Sequence, residues 1–321
     1  MNKSLLNLFK NIAFYFFIFF AALIIIFFAI NILVEPQIKK NLAVYSSIPK
    51  NYGSRLGIFF KNLFAFNPGK IYSYELYSAE SNILILYFKQ FRWTILTSAL
   101  IFSFSFVIGN VLGISSAYKF NKSYDITISV LASFFGALPL LIIAILALNN
   151  SSLFGYPSQF INNNKLSLIS LLVPILISSF STIAIFFSKS RKVTFESLKS
   201  NYYLFAKTQG QTKRQLLRKI IIKDVIASEL HMFFMIYILL FTISILIERI
   251  FSIPGQSILI SFAFKKGELD IIMFYFTFNF IFISILLVIN SFIIKKLNPT
   301  IKKQSQLIPF WRISRRKLDV K

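Results

Sequence analysis

Few residues in this sequence could do chemistry. One histidine, His231, stands alone and there is no cysteine, so no thiolate nucleophile, disulfide or Cys/His metal cluster can be assembled. A lone histidine at the edge of an apolar run reads as a polar anchor, and no role is assigned to it. Gly69-Lys70 has the outline of a phosphate loop. That loop needs a glycine five residues before Gly69, where Phe64 stands, and a hydroxyl after the lysine, where Ile71 stands. The long apolar runs contain no Asp, Glu, Lys or Arg, so a membrane enzyme with an acid/base pair inside them is disfavoured. The expectation is a chain without catalytic, cofactor or metal residues of its own.

What remains is the apolar material itself. With 35 Lys+Arg against 11 Asp+Glu, the 321 residues carry a net charge of +24, which in a soluble protein would point to nucleic acid. Only 14% of the residues are charged, however, and the mean hydropathy is +0.69. Too little polar material exists to clothe a water-soluble globule, and 40 phenylalanines exclude disorder.

A helix crossing about 30 Å of hydrocarbon needs about 20 apolar residues. Six charge-free windows meet that need: Asn11 to Val34, Trp93 to Tyr118, Ile126 to Leu148, Leu166 to Ser188, Leu230 to Ile247 and Ile271 to Ile294. The first follows Lys3 and Lys10 but is longer than a signal-peptide core and leads into Glu35-Pro36, so it reads as an uncleaved helix. The fold expected is an all-α integral membrane protein with six transmembrane helices. Its parts are residues 1–34 (tail and first helix), 35–92 (a long loop), 93–300 (a five-helix core) and 301–321 (a basic tail).

Basic residues are retained on the cytoplasmic side. With the N-terminus inside, 23 of the 35 fall in cytoplasmic segments, and most of the others lie in the long loop, where the rule is weak. Both termini are expected in the cytoplasm of a multi-pass inner-membrane protein, with 35–92 outside. The charge excess thus becomes an orientation signal.

Within the cytoplasmic loop 189–229, Thr194 to Lys207 reads as one short helix. Thr212-Lys213-Arg214-Gln215 has capping-box form, and Leu216, Leu217, Ile220 and Ile221 recur at helical spacing. Gly210 lies between, where a chain leaving a helix turns left-handed. This helix, glycine turn and helix suit either an amphipathic hairpin on anionic lipid or a docking element for a soluble partner. In the second window Ser105, Gly109, Gly113 and Ala117 form a small-residue stripe for close helix packing, within the chain or with a second subunit. Pro139 and Pro174 lie mid-window and are expected to kink their helices.

The stretch Asn201 to Gly210 resembles the cytoplasmic signature of permease subunits of binding-protein-dependent ABC transporters, and more narrowly the dipeptide/oligopeptide/nickel branch. Tyr202, Ala206 and Gly210 fall on that spacing. Glu248-Arg249-Ile250-Phe251-Ser252-Ile253-Pro254-Gly255 resembles a second family segment, and Asn298-Pro299 stands where the family has Asp-Pro. Asn201, Leu204-Phe205, Ser228 and Ser257 depart from the family pattern.

The resemblance implies that the hairpin is a coupling helix, with Tyr202, Ala206 and Gly210 seated against an ATPase subunit. It implies that Glu248, Phe251, Pro254 and Gly255 lie at an external gate or binding-protein interface. The implied partners are a second homologous permease, two ATPase subunits, an external solute-binding protein and membrane lipid, and no nucleic acid. The implied cargo is di- or oligopeptides, with nickel or another small solute, or a non-transporting scaffold, as alternatives.

Overall fold

A computed structural model describes residues 3–161, 163 and 166–297. Asn298-Pro299 and the basic tail lie outside the described residues. Fifteen α-helices are present among them: α1 (Lys3–Lys40), α2 (Leu42–Ser47), α3 (Tyr52–Phe64), α4 (Tyr74–Ala79), α5 (Ile83–Tyr118), α6 (Ser123–Ala137), α7 (Leu140–Asn149), α8 (Ser151–Phe154), α9 (Leu166–Lys199), α10 (Asn201–Thr208), α11 (Lys213–Leu216), α12 (Ile222–Leu230), α13 (Phe233–Ile250), α14 (Gln256–Lys266) and α15 (Leu269–Leu297). A single π turn, Leu217–Ile221, joins α11 to α12.

Five of these helices are long and apolar enough to cross a membrane. The pair α6 and α7, bent by 82° at their junction, makes a sixth span if counted as one. The break falls at Leu138-Pro139, where proline cannot donate to the preceding turn. Pro174, by contrast, lies inside an unbroken α9. Two helix ends differ from the expected ones. α1 runs past Val34 and through Pro36 to Lys40. Residues 194–207 are not one helix: α9 continues to Lys199 and Ser200 separates it from α10.

Contacts divide the chain into two compact units. The first takes Met1–Ala99, Ala144–Pro174 and Ile243–Ile283. Its core is aromatic: Tyr87 is fully buried and meets Phe91, Phe274 and Phe278 at ring-centre distances of 5.4, 5.1 and 5.0 Å, in edge-on and offset geometries that suit the ring quadrupole. Its hydroxyl accepts from Asn279 Nδ2 at 3.1 Å. Segment 35–92 is held by charge as well. Arg55, 4% exposed, donates through Nη1 to Glu35 at 2.7 Å and Asn31 at 3.3 Å, and through Nε to the Pro49 carbonyl. Glu268 accepts from the backbone N–H groups of Tyr72 and Ser73, and Asp270 accepts from that of Lys70 at 2.9 Å.

The second unit takes Leu100–Ile143, Ile175–Thr242 and, from the last segment, residues 284–297. Here the small-residue stripe of α5 meets α9 of the same chain. A Cβ on Gly109 would lie 2.5 Å from Phe186 Cβ, and one on Gly113 would lie 2.7 Å from the Phe187 carbonyl oxygen. Ser105 bonds Thr182 at 2.6 Å, and Ala117 is buried. Gly109 and Gly113 thus serve contact within this unit. Arg191 on α9 grips Asp125 at the start of α6 with two bonds of 2.7 Å, the bidentate geometry in which guanidinium and carboxylate bind best. Ser116 donates to the same carboxylate.

Candidate coupling hairpin and the turn after the fifth span

Ser200 opens the hairpin by accepting the Tyr203 N–H on its side chain, so α10 starts afresh with a new axis instead of extending α9. Tyr203 and Ala206, three residues apart, then share one face. Both are buried against Leu216, Ile221 and Val225, with Ile114, Val193 and Leu198 packed around them. The opposite face is apolar and open, with Leu204 and Phe205 48 and 64% exposed, and Tyr202, at the edge of the buried face, is 52% exposed. Tyr202 is steadied by Asp224, whose carboxylate accepts from its hydroxyl and from Ser197.

α10 ends in a Schellman turn. Gly210 N–H bonds the Lys207 carbonyl at 3.1 Å and Gln211 N–H bonds the Ala206 carbonyl at 3.4 Å, with Gly210 at φ +77°. That left-handed φ is what requires glycine; a Cβ there would meet nothing within 4 Å. Thr212 and Gln215 form the reciprocal capping box expected of them.

The resemblance implies a coupling role for Tyr202, Ala206 and Gly210. The structure brings them into one hairpin with distinct jobs. Tyr202 is surface, Gly210 turns the chain, and the small side chain of Ala206 serves close contact with this chain's own α11 and α12 region. Leu204 and Phe205, which departed from the motif, are the residues the hairpin presents outward. Their helical phase, opposite the buried Tyr203/Ala206 pair, is the signal that marks them.

Next to this hairpin, Glu229 at the end of α12 is 6% exposed and accepts from Asn110 Nδ2 at 3.2 Å. Burial pushes its carboxyl up to about 7, against the opposing pull of the Asn110 bond and the Lys189 charge. His231, two residues further on, is exposed.

The second sequence motif folds as a buried turn between α13 and α14. Glu248 is fully buried; Oε1 accepts from Ser244 Oγ at 2.9 Å and Oε2 from the Ser257 N–H at 3.0 Å. The carboxylate therefore caps the first turn of α14, where unpaired N–H groups and the helix dipole favour negative charge. Gly255 lies against it, and Phe251 is 1% exposed, its carbonyl accepting from Phe160 N–H at 2.9 Å. Arg249 and Ser252 are exposed and Ile250 and Pro254 half-buried, while Glu248 and Phe251 brace the turn from within.

Residues 109–303 match the family described as binding-protein-dependent transport system inner membrane component. The chain belongs to this family. The permease is 25% identical over 261 residues to a putative peptide transport system permease protein of Brucella suis biovar 1, covering 78% of this chain and 82% of the relative. A namesake from Brucella melitensis biotype 1 gives the same identity and covers 78% and 81%. A crystal structure of an amino acid ABC transporter with histidines aligns with 63% of this chain and 93% of its own, at 18% identity and a TM-score of 0.44. The protein is thus a multi-pass permease subunit of an ABC importer. ATP hydrolysis belongs to a separate ATPase subunit, and a binding protein delivers the solute.

Proposed function

We propose that this permease carries di- or oligopeptides across the inner membrane, delivered by an external solute-binding protein. It pairs with a second homologous permease and two ATPases, with both termini and the α10–α12 hairpin in the cytoplasm and segment 35–92 outside. The observation that carries the coupling role is the two-faced α10. Its inner face, Tyr203 and Ala206, is locked to α11 and α12, while Tyr202, Leu204 and Phe205 stand exposed. Exposed aromatic and aliphatic side chains on a short rigid helix are what a groove on a soluble partner would bury. Movement of the docked hairpin is then transmitted to α9, which ends one residue before α10 begins, and to α12.

Peptide cargo is supported by the names of the Brucella relatives and by the resemblance around Tyr202 and Gly210. The orientation is supported by the distribution of Lys and Arg. Expression of the complete operon tests the whole reading: the permease should copurify with an ATPase and a second permease, and the assembled complex in proteoliposomes should take up labelled tripeptide in an ATP-dependent way. Isolation of the permease without any ATPase would overturn it.

A further inference from the structure

α3 does not lie across the membrane surface. It runs antiparallel to α1, a register fixed by five contacts: Arg55 bonds Asn31 and Glu35 at one end, Phe59 meets Phe27 at 5.5 Å, and Phe60 and Phe64 meet Phe20 at 5.9 and 6.1 Å. At about 1.5 Å per residue, Phe20 lies about 22 Å along α1 from Glu35. It is in the middle of a stretch with no charge between Lys10 and Glu35. α15 gives the same depth independently, because Phe19 stacks at 5.1 Å on Phe280, midway along a run free of charge from Ile271 to Ile294. The end of α3 therefore reaches hydrocarbon level. The non-helical residues 65–73 then return to Glu268 and Asp270 at the head of α15.

Non-helical backbone at that depth is tolerated only where protein covers it or water reaches it, and an ionisable side chain there marks a functional path. The face of α3 turned away from α1 carries Ser54, Gly57 and Lys61, all exposed. A Cβ on Gly57 would meet nothing within 4 Å, so no packing in this chain demands its small size. Lys61 makes no ion pair among the described residues. Behind α3 lies a cavity of 460 Å³ whose lining includes Asn62, Asn67 and Thr277, and the buried Thr277 hydroxyl has no hydrogen-bond partner. Polar groups thus lie on both sides of α3.

We infer that α3 and residues 65–73 form a re-entrant hairpin lining the solute pathway, with the Lys61 ammonium receiving the anionic group of the cargo. This deepens the importer reading and rests on it. For a peptide that group is the terminal carboxylate, a charge that a buried-level cation would attract strongly in a low-dielectric channel.

The chain has no cysteine, so Lys61→Cys and Phe17→Cys can be probed in the assembled complex in membranes. Phe17 is 71% exposed on α1 and serves as the lipid-facing comparison. A membrane-impermeant sulfonated thiol reagent should label Lys61→Cys at least tenfold faster than Phe17→Cys, and trapping with ATP and vanadate should change that labelling rate at least fivefold. Equal, negligible labelling of both would overturn the aqueous placement. Labelling indifferent to vanadate, in a complex that hydrolyses ATP, would overturn the pathway role. In either case ATPase copurification would stand, which separates this failure from failure of the importer reading. For the charge itself, Lys61→Gln should cut uptake of trialanine at least fivefold and leave trialanine amide unchanged; equal effects on both would contradict recognition of the carboxylate.

Discussion

Glu248 occupies the space that a side chain on Gly255 would need: a Cβ there would lie 2.2 Å from the Glu248 carboxyl carbon and 2.4 and 2.5 Å from its oxygens. The glycine lets the turn close tightly enough for the carboxylate to reach the Ser257 N–H. Gly255→Ala should therefore push the carboxylate off α14, with a cost of about 1–3 kcal/mol for overpacking. A thermal unfolding assay in detergent checks this. The expected outcome is a Tm several degrees lower, with Glu248→Ala falling in the same direction because it strands the Ser244 hydroxyl and the Ser257 N–H.

Gly113 makes the closest approach of α5 to α9. A methyl group there would press on the Ser190 hydroxyl, which can rotate, but also on the Phe187 carbonyl oxygen, which cannot without moving α9. Gly113→Ala should cost about 1–3 kcal/mol. Adding Ser190→Ala should recover only part of it. Full recovery in the double variant, measured by Tm, would show that the backbone contact is not limiting.

Glu229 makes stability depend on pH in a defined direction. Burial raises its carboxyl from the ordinary glutamate value to about 7, so between those values the folded protein holds a proton that the unfolded chain has released. Stability from this group is intact below the ordinary value and is lost as pH rises through about 7. Glu229→Gln removes the ionisation and keeps an acceptor for Asn110. Thermal melts should show the variant gaining on the native protein between pH 5 and pH 8; a constant difference across that range would contradict the assignment.

The apolar spans were legible because charge is excluded from hydrocarbon, and that exclusion leaves gaps in the pattern of Asp, Glu, Lys and Arg. Helix ends were not, because charge marks where the membrane stops and says nothing about where the helix does. α9 carries Lys189, Arg191 and Lys192 on a helix that simply emerges from the apolar run, and α1 continues through Pro36 with Glu35 held by Arg55. The stripe at Gly109 and Gly113 announced a close neighbour without naming it, since small residues record the absence of bulk and α9 supplies no complementary pattern. In the hairpin, Gly210 and the Thr212/Gln215 box were readable because capping is local chemistry. The outward role of Phe205 depended on which face α11 and α12 cover, a tertiary fact.

The central claim is that α10 couples this permease to an ATPase through its exposed face. Phe205→Asp tests it most directly, because Phe205 is 64% exposed and the substitution leaves the Tyr203/Ala206 core and the Gly210 turn in place. The measurement is binding-protein-stimulated ATP hydrolysis by the assembled complex in proteoliposomes, with the Tm of the permease as a control for folding. The account predicts at least a tenfold loss of stimulation at unchanged Tm. Stimulation equal to that of the native complex would contradict it.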